Sequence, residues 1–338
     1  MTGPALLVGP AAMVVALLID AVWGEPPAAL HAVVLMGKFL GRWGRTLPDR
    51  APAGGFVGGA LGWLVGAAVF TVIAWTVTRG VTWAAAWVAV WLTTQGPAWT
   101  VSSMTTGPAW LRAGMTALMY GALLKPLLAW RLLCSEVESV EAALGASLEA
   151  GRARVAFIAS RDTRALTATQ VRETAIESLA ENLNDSVIAP LFWFAVAGLP
   201  AATLYRFANT ADAMWGYRGR WEWAGKWAAR ADDVLSWIPA RLTAFVILPP
   251  RQWGKLPAEA RCTPSPNSGW PMGAMALRLG VQLGKPGMYL LNRNGRPPSA
   301  ADSARAAQLA TAAIALLLVP LSALMLLIRG VLPIPGVP

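Results

Sequence analysis

The sequence predicts an all-α, polytopic integral membrane protein, and its composition is the first reason. Apolar residues of the AVILMFWYC set make up 56% of the 338 residues, and charged residues only 14%. Soluble domains carry about 25% charged residues, so this composition argues against a soluble or disordered chain. It also argues against nucleic-acid binding, despite a net charge of +10. Two cysteines and one histidine exclude a disulfide framework and a metal cluster of those residue types.

The uncharged stretches are the second reason. A helix needs about 20 mostly apolar residues to cross the hydrocarbon core of a bilayer. Five uncharged stretches come near or exceed that length, namely residues 1–19, 51–78, 80–111, 186–205 and 306–328. The first lacks the basic start and small-residue cleavage site of a signal peptide, so we expect it to remain as a helix of the mature protein.

The basic residues predict the orientation of these helices. Four of them lie in residues 38–50, eight lie in residues 251–305, and only Arg329 follows the last apolar stretch. Under the positive-inside rule both basic segments are cytoplasmic, so both termini lie outside. Arg79 is expected to mark another outer turn, after which residues 80–130 make one net inward crossing.

The fourth apolar stretch is expected to behave differently from the others. It lies inside residues 131–230, which hold most of the remaining charge and should face the cytoplasm. A break at Gly198-Leu199-Pro200 would let the chain return, so we predict a re-entrant hairpin packed against protein or a polar cavity. This gives about four full transmembrane helices, the hairpin and cytoplasmic helical segments. The chain is then a single domain, 1–338, with segments 1–130, 131–250, 251–305 and 306–330.

Acidic residues concentrate in one part of the chain, since nine of the 18 fall within residues 161–241. Thr167 or Thr169 could cap a helix running to about Asn182, on which Glu173, Glu177 and Glu181 share one face. A solvated helix face is the usual explanation for such a triplet. However, residues 181–185 run directly into an apolar stretch, and carboxylates at a membrane boundary usually mark function.

Two further polar clusters follow. In residues 209–218, Asn209 and Asp212 are three positions apart, and Gly216 predicts a turn that presents Tyr217 and Arg218. In residues 230–241, an ion pair of Asp233 with Arg230 or Arg241 is one interpretation. The other is a ligand site, because paired carboxylates can bind Mg²⁺ together with phosphate oxygens and arginine suits bidentate contact with phosphate. No Walker A, HExxH or CxxC motif is present.

Eight stretches, taken in order, resemble the CobD/CbiB family of cobalamin-biosynthesis membrane proteins, the adenosylcobinamide-phosphate synthases. The resemblance extends from about Asp20 to Tyr289. The matching stretches are 20–26 (Asp-Ala-Val-Trp-Gly-Glu-Pro), 31–37, 160–163 (Ser-Arg-Asp-Thr), 177–182 (Glu-Ser-Leu-Ala-Glu-Asn), 209–218 (Asn-Thr-Ala-Asp-Ala-Met-Trp-Gly-Tyr-Arg), 229–234 (Ala-Arg-Ala-Asp-Asp-Val), 238–242 (Ile-Pro-Ala-Arg-Leu) and 265–267 (Ser-Pro-Asn). Each stretch alone is weak, whereas the ordered set is specific. The chain departs from the family at Ala32, Ser186, Ser236 and Thr263.

The resemblance implies that the protein joins the carboxylate of adenosylcobyric acid to aminopropanol or its O-phosphate, with ATP. Such chemistry calls for Mg²⁺, cationic groups at the transferred phosphate and an acceptor for the ammonium proton. The resemblance also implies a cell inner membrane location, a site facing the cytoplasm, and other membrane enzymes of late cobalamin synthesis as partners.

The residue roles that follow are hypotheses drawn from the resemblance. The expected catalytic residues are Glu177, Glu181 and Asp185. The expected metal ligands are Asp212, Asp232 and Asp233. The expected substrate- or phosphate-binding residues are Arg161, Asn182, Asn209, Tyr217, Arg218, Arg241, Ser265 and Asn267. Trp215, Trp221 and Trp223 flank the arginine cluster and could line the corrinoid ring. His31 is expected to be a structural hydrogen-bonding residue, with a substrate role as the alternative because it lies in a matched stretch.

Three other functions fit parts of the sequence. A transporter would explain the helices and the acids at membrane depth, but no inverted repeat is evident. A phosphotransferase that uses a CDP-alcohol would explain the aspartates, but the Asp-Gly-x-x-Ala-Arg spacing is missing. A noncatalytic scaffold for corrinoid enzymes is the third alternative.

Overall fold

The computed structural model describes residues 3–29, 31–95, 107–159 and 161–331, which form mostly helices joined by turns and loops, together with one β-hairpin. The helices, in chain order, are α1 (Val8–Trp23), α2 (Ala32–Trp43), α3 (Pro52–Gln95), α4 (Gly107–Leu124), α5 (Trp130–Ala146), α6 (Leu148–Val155), α7 (Ala168–Leu183), α8 (Ala189–Trp215), α9 (Lys226–Leu235), α10 (Trp237–Ile247), α11 (Leu256–Ala260), α12 (Gly269–Leu279) and α13 (Ala300–Val331). The hairpin pairs β1 (Leu283–Lys285) antiparallel with β2 (Tyr289–Leu291), Leu283 lying opposite Leu291.

Five helical segments are long and apolar enough to cross a membrane, which confirms the all-α polytopic membrane class. These segments are Gly3–Trp23, Pro52–Val88, Ala109–Ala146, Ala168–Trp215 and Ala300–Val331. The first and last agree with the uncharged stretches at the two ends of the sequence.

The chain divides into two compact units. Unit 1 comprises Met1–Ala129, Pro190–Asp232 and Leu318–Pro338, and unit 2 comprises Trp130–Ala189 and Asp233–Leu317. In unit 1, α1 packs against α4, and α3 packs against α2 and α4. In unit 2, α5 packs against α6 and α7 around a buried aliphatic cluster that includes Val140, Val155 and Val171.

The expected turn at Arg79 is wrong. Helix α3 continues from Pro52 to Gln95, a length of about 66 Å at 1.5 Å per residue, because a single glycine such as Gly80 costs a helix only about 1 kcal/mol relative to alanine. Helix α4 returns alongside it, and the Tyr120 hydroxyl donates to the Thr78 carbonyl at 3.0 Å. The connection, residues 96–106, lies outside the described residues, so the path expected for residues 80–130 is described only in part.

The expected break in the fourth apolar stretch is confirmed. Helix α7 begins with a capping box in which Thr167 accepts from the Gln170 amide and Gln170 reaches back to Thr167. It passes through a π-helical turn, Asn184–Ile188, into α8, where Ala197 and Gly198 leave the helical conformation. Gly198 has φ +72°, which glycine adopts without strain. The re-entrant hairpin stays a prediction.

A buried ionic network connects α1, the following loop and the segment after α4 in unit 1. Lys125 Nζ lies 3.1 Å from Asp20 Oδ1 and 3.1 Å from Glu25 Oε1. Asp20 and Lys125 are 0% and 3% exposed. Glu25 also bonds His31, whose Nε2 lies 2.8 Å from Glu25 Oε2, so the hydrogen-bonding role expected for His31 is observed. Burial raises the pKa of Glu25, but His31 and Lys125 outweigh it and the net pKa is lowered.

Replacing Lys125 should strongly destabilise the protein. Lys125→Ala leaves the buried Asp20 carboxylate without this cation, and breaking a buried pair from one side costs about 3–5 kcal/mol. Thermal unfolding of the purified protein in detergent measures the loss, with the exposed Lys255 changed to alanine as the control. Equal melting temperatures for the two variants would contradict the assigned importance of the pair.

The network should also make stability depend on acidity. The lowered pKa of Glu25 means that its contribution is complete above the ordinary value near 4.5 and is lost as the pH falls through the lower folded-state value. Between pH 7 and pH 4 we therefore expect a smaller fall in melting temperature for Glu25→Gln than for the unaltered protein. Asp49→Asn, which removes an exposed pair with Arg220, is the control and should follow the unaltered protein.

Candidate functional site

The acidic face of α7 is buried at its centre. Glu173 and Glu177 are 8% and 1% exposed, respectively, while Glu181, one turn further, is partly exposed. The solvated helix face is therefore wrong for the first two carboxylates. Burial of carboxylates is costly unless they are paired or hydrogen-bonded, so the partners of this face define the site.

Arg161 is the main partner of the acidic face. Its Nη2 donates to Glu177 Oε2 at 2.7 Å, and its Nη1 donates to Thr174 Oγ1 and to the Gly284 carbonyl, each at 3.2 Å. The guanidinium thus joins α7 to β1 through a charge-assisted hydrogen bond and two neutral acceptors. Its motif neighbour Ser160 lies outside the described residues.

The hairpin places a tyrosine against the same carboxylate. Pro286, Gly287 and Met288 form the connection, and Gly287 has φ +73°, as a Pro-Gly turn requires. Tyr289, at the start of β2, lies close enough to Glu177 to interact with its charge, and its hydroxyl donates to Met272 Sδ at 4.0 Å. Burial and then the Glu177 charge raise the pKa of Tyr289, so its hydroxyl stays protonated and donates. The sequence contained the Pro-Gly turn signal but no sign of this contact.

The π-helical turn after α7 connects Asp185 to α10. Asn184 donates through Nδ2 to Asp185 Oδ1 at 2.8 Å and accepts from the Thr243 hydroxyl of α10 at 3.1 Å. Asn182 Nδ2 donates to the Ser178 carbonyl at 3.0 Å. Single π turns inside helices are frequent at functional sites, and this one contains Asp185.

Arg241 is held in a second polar cluster of unit 2. Its guanidinium lies between the rings of Trp237 and Trp270, 4.2 and 4.7 Å from their centroids. Nη1 donates to Asn267 Oδ1 and to the Trp237 carbonyl, each at 2.8 Å. Ser265 Oγ accepts from the Asn267 backbone amide at 3.2 Å. The predicted residues Arg241, Ser265 and Asn267 therefore come together.

Asn267 also ties this cluster to Asp233, because its Nδ2 donates to the Asp233 carbonyl at 2.8 Å. Helix α12 packs against both α7 and α10. The Glu177 cluster and the Arg241 cluster of unit 2 thus lie on helices that both pack against the buried helix α12. Packing on this shared helix brings together stretches that are far apart in the sequence.

The predicted residues of unit 1 lie around the end of α8. Asn209 Oδ1 accepts from Arg206 Nη1 at 2.8 Å. Gly216 follows the helix, and a Cβ there would overlap the Asp212 carboxylate, so only glycine allows this close approach. The turn leaves Tyr217 and Arg218 exposed, as predicted.

The three tryptophans expected to line the corrinoid ring differ in their exposure. Trp215 is 1% exposed and stacks on Trp221 with ring centroids 6.1 Å apart, so it belongs to the core. Trp223 is exposed and lies 4.3 Å from Lys226 Nζ. Of the three, Trp223 is therefore the best placed for a ligand.

The structure does not bring the three predicted metal ligands into one cage. Among the described residues, no three His, Cys, Asp or Glu side chains lie where they could hold a metal ion. Asp232 and Asp233 are consecutive on α9, so their side chains leave the helix in different directions. Mg²⁺ often uses one or two carboxylates together with phosphate oxygens. A Mg²⁺ site formed by one or two of these aspartates and a bound phosphate therefore stays a prediction.

The fold and these clusters define a polytopic helical membrane protein with buried arginine–carboxylate sites, and comparison with known proteins identifies its family. The sequence model of the CobD/CbiB protein family matches residues 13–319. The chain therefore belongs to the CobD/CbiB family. No solved structure matches it.

Individual relatives cover most of the chain. It is 36% identical over 293 residues to a probable cobalamin biosynthesis protein CobD of Pyrococcus furiosus, covering 86% of this chain and 90% of the relative. It is 33% identical over 329 residues to the corresponding Methanothrix thermoacetophila protein, covering 94% and 97%. It is 41% identical over 207 residues to cobalamin biosynthesis protein CobD of Chromobacterium violaceum, covering 60% and 64%.

Replacing Asn267 should loosen the Arg241 cluster. Asn267→Ala removes an acceptor for Arg241 and a donor to the Asp233 carbonyl, and leaving such buried groups unsatisfied costs about 1–3 kcal/mol. Thermal unfolding should show this loss, while Asn294→Ala, at an exposed loop position, should stay within about 0.5 kcal/mol. An unchanged melting temperature for Asn267→Ala would contradict the assigned positioning role.

Proposed function

We propose that the protein forms the amide bond between adenosylcobyric acid and aminopropanol, or its O-phosphate, with ATP, giving adenosylcobinamide or its phosphate. Membership of the CobD/CbiB family, through the match to residues 13–319, is the observation that carries this proposal. The names of the relatives support a place in cobalamin biosynthesis. The buried carboxylate and guanidinium clusters support a site that handles a carboxylate, an amine and phosphate.

The chemistry requires activation of the carboxylate. A carboxylate is a poor electrophile, so ATP first converts it to an acyl phosphate or an acyl adenylate. The amine nitrogen then attacks the acyl carbon, the new C–N bond forms, and the phosphate or nucleotide leaves with the electrons of the broken C–O bond. The ammonium proton must pass to a base during this exchange.

The acidic face of α7 supplies the candidates for that base. Glu177 is buried and bound to Arg161, with Tyr289 close to it, so we assign it a positioning role. Glu181 is partly exposed one turn away and is the carboxylate that we assign to orient the amine and accept its proton. Asp185, in the π turn, is the second candidate.

The binding residues divide into exposed and internally held groups. Tyr217 and Arg218 are exposed at the end of α8 and are available to a corrinoid or a phosphate. Asn209 is bound to Arg206. Asn267 fixes the orientation of the Arg241 guanidinium by accepting a hydrogen bond from it, and Ser265 fixes Asn267 by accepting from its backbone amide. We assign the guanidinium hydrogens that these contacts leave over to binding a phosphate or a carboxylate of the substrate.

We assign Mg²⁺ to one or two of Asp212, Asp232 and Asp233, whose carboxylate oxygens are the hard ligands that this ion prefers. The ion would offset the phosphate charge of bound ATP. The proposal also places the protein in the cell inner membrane, with its site facing the cytoplasm and other membrane enzymes of late cobalamin synthesis as partners.

A defined reaction mixture tests the activity. Purified protein in detergent is incubated with cobyric acid or its adenosylated form, aminopropanol or aminopropanol phosphate, and Mg-ATP. We expect the mass of the amide product, dependent on ATP and on the protein, and the preferred amine identifies the substrate. Absence of product with every pair of substrates would favour the scaffold or the transporter.

Glu181→Gln should slow the reaction without preventing substrate binding. Loss of a general base typically costs about 10²–10⁴-fold in rate, so kcat should fall within that range while KM changes little. Glu138→Gln, at an exposed position of α5, is the matched control and should retain full activity. If Glu181→Gln kept its kcat and Asp185→Asn lost it, Asp185 would take the assigned role.

A further inference from the structure

Arg329 is a buried arginine whose guanidinium meets no acceptor among the described residues. It lies near the end of α13 and is 9% exposed. Within the part of the chain that the structure describes, neither Nη1 nor Nη2 has a hydrogen-bond partner. Burying a guanidinium away from both water and an anion costs free energy, so we expect a counter-ion to bind this side chain.

The neighbours of Arg329 are a glycine and a neutral hydroxyl. A Cβ at Gly9 of α1 would lie 2.8 Å from Arg329 Nη2 and would overlap the Met325 side chain, so glycine at this position lets Arg329 and Met325 pack directly against α1. Tyr120 of α4 is close enough to interact electrostatically with both Arg329 and Arg79, but its hydroxyl already donates to the Thr78 carbonyl. All of these residues belong to unit 1.

The surrounding sequence supplies cations and no acids. No Asp or Glu precedes Asp20, lies between Asp49 and Glu136, or follows Asp302. Asp302 is 27 positions before Arg329 on the same helix, about 40 Å away, and Asp20 is engaged with Lys125. The helices that meet at Arg329 therefore bring no carboxylate of their own to neutralise it.

The position of Arg329 suggests where the anion comes from. Arg329 directly follows the uncharged residues 306–328, and Arg79 directly follows the uncharged residues 51–78. Since about 20 residues cross the hydrocarbon core, Arg329 falls near a membrane boundary. Exposed Arg79 lies 5.9 Å from the ring of exposed Trp75, and tryptophan with arginine is typical of the headgroup region.

We propose that Arg329 binds the phosphate group of an anionic ligand, and that the ligand is the headgroup of a phospholipid. Two parallel guanidinium N–H groups match two phosphate oxygens, and basic pockets between transmembrane helices are known to accept such headgroups. Arg79 adds positive potential at the same level. The site is separate from the residues assigned to amide formation, so its test does not depend on the proposed function.

Thermal unfolding of the delipidated full-length protein in neutral detergent tests the site. Phosphatidylglycerol, phosphatidylcholine and inorganic phosphate are titrated separately. We expect phosphatidylglycerol to raise the melting temperature more than phosphatidylcholine does. Arg329→Gln should need at least about tenfold more phosphatidylglycerol for the same rise, while Arg305→Gln, at an exposed position of the same helix, should respond like the unaltered protein.

Comparing the two proteins without lipid tests whether Arg329 has a stabilising partner within the protein itself. Without lipid, Arg329→Gln should be at least as stable as the unaltered protein, because it removes a buried charge without a partner. An equal response of both proteins to phosphatidylglycerol would overturn the proposal. If inorganic phosphate alone raised the melting temperature, and Arg329→Gln abolished that rise, Arg329 would still be a phosphate-binding residue. Its ligand would then be a soluble phosphate and not a lipid, which would overturn the lipid part of the proposal.

Two further variants, Arg329→Lys and Arg79→Gln, test the site with changes that are less disruptive to the fold. Arg329→Lys keeps the charge but loses the two parallel donors, and we expect a lipid response between those of the unaltered protein and Arg329→Gln. Arg79→Gln changes an exposed residue and should weaken the response less than Arg329→Gln does. Native mass spectrometry should show retained phospholipid on the unaltered protein and less on Arg329→Lys, and equal retention would contradict the proposal.

Discussion

The need to neutralise every charge removed from water governs the polar architecture of this protein. In unit 1, Lys125 pairs with two carboxylates, and in unit 2 Arg161 donates to the buried Glu177 carboxylate. Lys125 joins segments about a hundred positions apart, and Arg161 joins the loop before α7 both to that helix and to β1. The buried charges therefore act as specific connections between helices whose apolar faces alone would permit several arrangements.

Long helices provide the frame, and short irregular elements carry the polar groups. The π turn at Asn184–Ile188, the Pro-Gly hairpin and the turn at Gly216 each direct a polar or charged residue in a way that a continuous helix would not. Arg241 shows the same principle, because two tryptophan rings and Asn267 fix its guanidinium. Side chains held in this manner are suited to binding ligands with little loss of conformational entropy.

Several sequence predictions held because they depend on local properties. The capping residue Thr167, the break at Gly198 and the turn after Trp215 were all predicted, since caps and glycine conformations are set by neighbouring residues. The turn at Arg79 was wrong because one exposed charge does not stop a helix. The burial of Glu173 and Glu177 could not be predicted, because it depends on Arg161 and on a hairpin more than a hundred positions away.

The sequence by itself determined the membrane class, the family resemblance and the residues that carry charge, since composition, uncharged length and motif order can be read without coordinates. Only the tertiary structure decided which charges meet. It joined Lys125 to Asp20 and Glu25, enclosed Arg241 between two rings, and left Arg329 without an acceptor among the described residues. The physical reason is that a charge's environment depends on every chain segment within a few ångströms, and sequence distance does not report that neighbourhood.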